Sequence, residues 1–500
     1  MKQLGILDAA FINLERGSTP QHIASLGIYD PSTAPGGKVR FKQLIATFER
    51  RLDNQPLFRT RLVQVPGGLD RPYWVKDERF DVEFHLRHIA LPNPGDWRQL
   101  CIQVARLHSR PLDMSKPLWE AYIIEGLDRI PGLPKGSFAI MVKIHHSLVD
   151  GMGGNSIAAL IHDLVPDPAP TDSDEPLPRL VDITPGMAEL LSRATVNGIK
   201  NVVGVVSGAA GNSLRLARYA AGVATGDYPG IDMQAPKTRF NQSVSPHRVF
   251  TAAEFSLQDF KAIKDAAGVK INDVALAVVG GALQRYLDDL GEAPSAALAA
   301  AIPVNMRARR ESSEDHNQVG SIFTARDRAR IIALHTDIAD PAARLQAIHR
   351  SSLDAQRAGD ASPLVDMLKL AGVFTPAITR PVANFWARNH LSSYLPVNIS
   401  TVVSNVAGPD QPLYCSGARL MDYYGLGVLT PGVGLFHMVY SYCGKMTVSV
   451  LADRAMLPDP EHYKRCLEAS LQALAAAVLP RTRRKAAPRK AQKKPARRRV

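Results

Sequence analysis

Apolar and polar positions divide the chain into strands and helices that alternate for most of its length. Phe138 to Ile144 is an apolar, β-branched run broken only by Lys143, the pattern of a buried strand. Asp150 to Gly154 is turn chemistry, and Ile157, Leu160, Ile161 and Leu164 then recur at i, i+3, i+4 and i+7. That spacing predicts a helix capped near Asn155 or Ser156. Upstream, His22 to Tyr29 reads as a strand, and Phe41, Leu44, Ile45, Phe48 and Leu52 as an amphipathic helix. Phe80, Val82, Phe84, Leu86 and His88 alternate as a second strand, ahead of a helix on Trp97, Leu100, Val104 and Leu107. Trp119 to Gly126 is a further strand. Downstream, Asn272-Asp273 precedes a long helix to Leu287, which one of the pair is expected to cap. Strands are predicted at Ala297 to Val304, Asn398 to Val406, Phe436 to Cys443 and Met446 to Ala452, and a last helix from Asp459 to Val478. Interleaved strands and helices predict mixed α/β layers.

Breaks in this pattern set the boundaries. Residues 165–180 are rich in proline and acid, a solvated linker in composition, so a first domain spans 1–164. Thr184-Pro185 resembles a helix start, and the Gly-, Ala- and Val-rich stretch to about Val223 predicts a crossover helix packed between domains, within a connecting segment 165–240. Its alternative is an amphipathic face lying on a bilayer. A second domain spans 241–480, its first structured residues near Arg248, and 481–500 is a tail.

Charge changes the picture less than its total suggests. The formal net charge is +13, but the tail holds eleven Lys or Arg and no acid, leaving the other 480 residues at +2. The tail has no aromatic residue and reads as a disordered polycation, suited to an anionic membrane or lipid-droplet surface; nucleic acid is the weaker reading. Four cysteines without CxxC spacing fit a reducing cytoplasm. No secretory apolar segment and no apolar run of 18 residues is present, so no membrane span is predicted. G-x-S-x-G, H-E-x-x-H and G-x-x-x-x-G-K-[ST] are absent, which removes the anchors of serine hydrolase, zincin and P-loop chemistry.

The candidate chemistry sits where the Phe138 strand ends, at His145-His146. If the strand runs through both, their side chains point to opposite faces, so one is chemical and the other supporting. An imidazole near its ordinary pKa of about 6.5 can take a proton from a hydroxyl and return it to a leaving group. With no serine or cysteine elbow nearby, direct transfer from a thioester to a hydroxyl needs no covalent enzyme intermediate.

His145-His146-Ser147-Leu148-Val149-Asp150-Gly151 resembles the HHxxxDG signature of acyltransferases with a chloramphenicol acetyltransferase-like fold. Pro117-Leu118-Trp119, Asn272-Asp273-Val274 and Ser404-Asn405-Val406-Ala407-Gly408-Pro409 are similar to the PLW, ND and SNVPGP-type motifs of the bacterial wax ester synthase/diacylglycerol acyltransferase family, in that family's order. The opening LDAAFINLERGSTPQHIASLGIYD is similar too, and the resemblance covers about residues 4 to 478. It implies an α/β fold of two chloramphenicol acetyltransferase-like mixed-sheet domains with a central tunnel between them. It implies a fatty acyl-CoA donor, with diacylglycerol or a long-chain alcohol as acceptor, and no bound cofactor or metal. His146 is then the general base, His145 and Asp150 shape the loop, Gly151 permits it, and Asn272 and Asp273 support the site from the second domain. Pro117, Leu118, Trp119 and Asn405 lie by the same implication along the substrate path. The site would be cytoplasmic, on a protein held peripherally at the inner membrane or on lipid inclusions. Two departures, Pro303-Val304-Asn305-Met306-Arg307 for a PVSLR-like stretch and Ala407 for a proline, bear on acyl preference more than on reaction type. The rivals are a non-catalytic lipid-surface or tethering protein on the same scaffold and an acyltransferase acting on another hydroxyl.

Overall fold

The strand Phe138–His145 is buried at every residue because sheet strands flank it on both edges. In the computed structural model, which describes residues 2–53, 55–149, 161–167, 184–198, 221, 225, 236–304, 328–357, 375–389 and 399–480, it pairs antiparallel with His22–Asp30 and with Trp119–Glu125. The full order of this six-stranded sheet is Tyr414–Cys415, Ala418–Leu426, His22–Asp30, Phe138–His145, Trp119–Glu125 and Leu86–Ala90. A second six-stranded sheet runs Arg328–Ala333, Ala299–Val304, Thr401–Ala407, Leu435–Tyr442, Lys445–Asp453 and Arg248–Ser256. Both sheets mix parallel and antiparallel pairs, as the sequence led us to expect. A small sheet of Lys2–Gln3, Tyr73–Lys76 and Thr60–Val63 stands apart.

Lys143, the polar break in the apolar run, has a physical reason. Its ammonium is fully buried, pairs with Glu120 at 3.1 Å, and donates to the carbonyls of Leu107 at 3.3 Å and Arg110 at 2.9 Å. It therefore closes the C-terminal end of helix Trp97–Ser109, whose other end carries a capping box of Asp96 and Gln99. Lys143→Met should cost roughly 3 kcal/mol, because it removes the buried cation paired with Glu120 and leaves that carboxylate only the Tyr122 hydroxyl and the more distant Arg87, and Lys143→Met/Glu120→Gln should recover most of that loss in urea unfolding. Equal stability of the single and double variants would contradict this.

Two stretches differ from the pattern reading. The alternation from Phe80 to His88 is not one strand: Asp81 accepts from the Glu83 amide at 2.9 Å and starts the single helical turn Val82–His85, so the strand is only Leu86–Ala90. The turn buries Val82 and His85, three apart, and leaves Phe84 exposed. Ala418–Leu426 was not predicted at all, being buried on both faces toward its end and carrying a bulge between Leu420 and Asp422. It comes from the C-terminal half, yet it completes the first sheet beside His22–Asp30. Helix Trp97–Ser109 in turn packs on Arg248–Ser256 of the second sheet, with Trp97 5.4 Å from Tyr424 and 6.5 Å from Phe250. The two halves are thus laced together on both sides.

Among the described residues no single helix is long and apolar enough to cross a membrane. Leu257–Ala267 with Ile271–Asp289 passes by composition as a pair bent by 104°, but Val274 to Leu283 is buried in the core. Helix is present at 187–198 within the predicted crossover. The turn Asp150 to Gly154, the helix start at Asn155 or Ser156, most of the linker, residues 199–220, Asn305 to Arg307 and the tail lie outside the described residues.

Candidate active site

The strand stops at His145, and His146 opens the short helix His146–Val149. The opposite-face argument, which assumed a continuing strand, therefore does not apply: the backbone turns between the two imidazoles. Hydrogen bonds fix the turn from both neighbouring strands. The His145 amide donates to the Leu118 carbonyl at 2.9 Å, and the His146 amide to the Gln21 carbonyl at 2.9 Å. The Ser147 amide donates to His145 Nδ1 at 3.1 Å, with the Ser147 hydroxyl at 2.8 Å from the same nitrogen. Nδ1 is then an acceptor, so the His145 ring proton sits on Nε2, 3.5 Å from Glu15 Oε2. That contact is too long to count as a full hydrogen bond, and it orients His145 by charge rather than by a bond.

His146 is buried beneath Phe11, whose ring stacks on it at 3.8 Å between centroids and 20° between planes. Burial, with the neighbouring His145 adding to it, pushes the His146 pKa down to about 3. The expectation of a near-ordinary pKa is corrected: desolvation penalises the imidazolium, and His146 is neutral throughout the physiological range. Behind the strand, His22, opposite His145 in the sheet, lies 2.6 Å by Nε2 from the His108 carbonyl, and the two rings meet edge-on at 4.8 Å. Burial holds both well below the usual histidine range.

The resemblance marked the opening segment as a whole, but nothing in the sequence reading singled out Phe11, Glu15 or Gln21. Their signal was that segment's place in the pattern, and the structure explains it: helix Ile6–Leu14 and the loop after it wrap the two histidines. The PLW stretch braces the same place. Leu118 and Trp119 are core residues, the Trp119 indole donates to the Phe58 carbonyl at 2.9 Å, and its ring stacks on His85 at 4.6 Å. A buried strand entry accounts for these contacts of Pro117-Leu118-Trp119. Asp150 and Gly151 lie outside the described residues.

In the second half, the structure brings two motifs together: Asn405, on Thr401–Ala407, donates to the Asn272 side-chain oxygen at 3.2 Å. Gly408 follows because a Cβ there would collide with the Ser441 carbonyl. Asp273 caps Ile271–Asp289 from the third helical position, accepting from the Lys270 amide at 3.1 Å. Its Oδ2 also accepts from His349 Nδ1 at 2.7 Å, while Oδ1 is buried without a partner. These bonds run to Lys270 and His349 rather than to either histidine of the first sheet. Asp273→Ala should cost about 2–3 kcal/mol, a cap plus a buried hydrogen bond, whereas Asp273→Asn keeps an acceptor for Lys270 and should cost less. Denaturant unfolding of both variants checks this, and equal losses would contradict it.

Among the described residues the metal-ligating types that converge are Asp289, His462 and Cys466. His462 Nε2 is 2.9 Å from Asp289, and burial pushes the Cys466 thiol up to about 11, so this group reads as a hydrogen-bonded histidine–carboxylate pair beside a protonated thiol.

Comparisons with known proteins identify the family to which this fold belongs. Residues 4–275 match the wax ester synthase/diacylglycerol acyltransferase catalytic domain, and residues 328–475 the C-terminal domain of the same family. Two Mycobacterium tuberculosis proteins whose names assign them as diacylglycerol O-acyltransferases, Tgs2 and Rv3740c, are 31% and 33% identical over 479 residues. Those alignments cover 94% of this chain and 98% or 99% of the relatives. The solved wax ester synthase/diacylglycerol acyltransferase of Marinobacter aquaeolei VT8 superposes with a TM-score of 0.64 at 26% identity, over 96% of this chain and 100% of that one. The trichothecene 15-O-acetyltransferase of Fusarium sporotrichioides, at 11% identity over 95% of this chain and 94% of that one with a TM-score of 0.56, shares the fold alone. The chain therefore belongs to the wax ester synthase/diacylglycerol acyltransferase family and is an acyltransferase of that fold.

Proposed function

We propose that the protein moves a fatty acyl group from acyl-CoA to the hydroxyl of diacylglycerol or of a long-chain alcohol, with His146 as general base. The observation that carries this is a neutral, buried imidazole at a rigid strand end, in HHxxxDG spacing. The acceptor hydroxyl gives its proton to the His146 imidazole as its oxygen attacks the thioester carbonyl. The C–S bond breaks, and the departing thiolate takes the proton back. Burial keeps the base unprotonated near neutral pH and makes the imidazolium it becomes a strong acid toward the departing thiolate, while weakening its pull on the hydroxyl proton. Phe11 and the Gln21 carbonyl hold His146 in place, and the Ile271–Asp289 helix start, with Asn272, is the second domain's contribution to charge developing on the carbonyl oxygen. The reaction so written uses no group beyond its two substrates. A free-thiol release assay with palmitoyl-CoA, offering diacylglycerol and hexadecanol side by side, tests the reading; no release with either acceptor would reduce the fold to a scaffold.

We further propose that the protein works peripherally at a cytoplasmic lipid surface, where its lipid substrates would be met. Supporting this, helix Pro376–Arg388 contains no acid and exposes Ile378, Val382 and Phe385 at 55%, 60% and 64%. The basic tail adds attraction for anionic headgroups of about 1 kcal/mol per cation near the surface. Deleting 481–500 should weaken sedimentation with anionic vesicles several-fold at low salt and spare turnover of micellar substrate; Phe385→Ser should weaken it at all salt concentrations. Unchanged sedimentation of both variants would contradict this placement.

A further inference from the structure

We propose that a cleft between helix Trp97–Ser109 and the edge of the second sheet binds the phosphorylated nucleotide end of the acyl donor; the inference rests on the acyl-CoA reading above. The cleft has a volume of about 370 Å³, and its largely apolar wall carries four arginines, with two acids, Asp459 and Glu461, at one rim. Arg98 and Arg106, eight apart on one helix face, form one side, and His247 and Arg454 the other. Ala105, Val249 and Phe250 line it between them, a surface suited to a flat base.

The charge of these arginines is not spent inside the protein: among the described residues, the guanidinium groups of Arg98, Arg106 and Arg454 make no hydrogen bond or ion pair, and all three are exposed. The acids at the rim are engaged. Asp459 accepts from the His462 amide at 3.0 Å as the cap of Pro460–Val478, and Glu461 accepts from the Thr251 hydroxyl at 3.2 Å. Buried Arg248 differs from the other cations, since it donates to the carbonyls of Ser245 and Ser18 and so fixes the loop that carries His247. Three unspent guanidinium groups over an apolar floor match phosphomonoester and diphosphate groups attached to a base.

Its position suits a donor that must reach a buried thioester. One helix separates the cleft from the histidine strand. The outer face of Trp97–Ser109 carries Arg98 and Arg106, while its inner end places His108 against His22, the sheet partner of His145. The nucleotide would stay at the surface and the pantetheine arm would run inward.

The test is calorimetric titration of the full-length protein with adenosine 3′,5′-bisphosphate, in wild type and Arg98→Glu/Arg106→Glu, beside KM values for palmitoyl-CoA and S-palmitoyl-pantetheine. The expected result is bisphosphate binding weakened about tenfold or more in the variant, a similar rise in KM for palmitoyl-CoA, and the same KM in both proteins for the pantetheine thioester, which lacks the nucleotide. Equal bisphosphate affinity in the two proteins would overturn the inference, as would inorganic phosphate displacing the bisphosphate at equal concentration. A protein that turns over no thioester yet binds the bisphosphate through these arginines would sink the acyltransfer reading and leave the site standing. Turnover with an unchanged KM in the variant would do the reverse.

Discussion

His146→Ala is expected to lower turnover of palmitoyl-CoA about 100- to 10,000-fold, the usual contribution of a positioned general base, while the protein stays folded. The imidazole lies against Phe11 at the end of the sheet and is neutral there, so its removal loses that stacking contact and leaves no buried charge uncompensated. Stability at pH 7.5 should therefore change by no more than about 2 kcal/mol. His146→Gln separates shape from chemistry: it fills part of the same space and hydrogen-bonds, but it cannot take a proton. Near-normal turnover in His146→Gln, with a cooperative melt, would end the base assignment. Because burial holds His146 down to about 3, the wild-type rate should also lack an acid limb near pH 6.5.

Acid should unfold the protein over an unusually narrow range. His146 and His437 are each pushed down to about 3 by burial, and His22 and His108 lie well below their ordinary value for the same reason. In the unfolded chain these four titrate near 6.5, so below that pH the unfolded state binds more protons than the folded one. The stability that depends on their neutrality is fully present above pH 6.5 and is lost as pH falls toward the folded values. Each contributes a loss of about 1.4 kcal/mol per pH unit in that window, so the four together approach the whole stability of a typical domain within about two units. Circular dichroism should show a flat melting temperature from pH 8 to 7 and a cooperative loss of structure by about pH 5. A melting temperature unchanged between pH 7 and 5 would contradict the burial of these rings.

Much of the first sheet was legible because its signals are local. A β-branched run ending in two histidines reads as a strand with chemistry at its tip, and Phe138–His145 is that strand. Lys143 was visible only as an exception, since its reason lies in carbonyls more than thirty residues away. The Ala418–Leu426 strand escaped because burial on both faces erases alternation and because its partner, His22–Asp30, is nearly four hundred residues distant. Phe11 and Glu15 were invisible as individuals for a related reason: a stacking ring and a carboxylate on a helix and its exit look like any amphipathic edge until the fold brings them to the histidines. His349, which meets Asp273 from another helix, left no periodic trace at all. The family motifs fared better than periodicity in the second half, where Asn272 and Asn405 do meet, although Asp273 caps from the third helical position rather than the first.

Direct transfer at a neutral histidine is tested most squarely by a single-turnover chase, with enzyme in excess over palmitoyl-CoA labelled in its acyl group, quenched in acid with and without diacylglycerol or hexadecanol present. The account predicts that label passes to an ester only when an acceptor is present, one thiol appearing per ester, and that none is left on the protein. Label retained on the acid-quenched protein, or a thioester that survives intact with both acceptors, would contradict it.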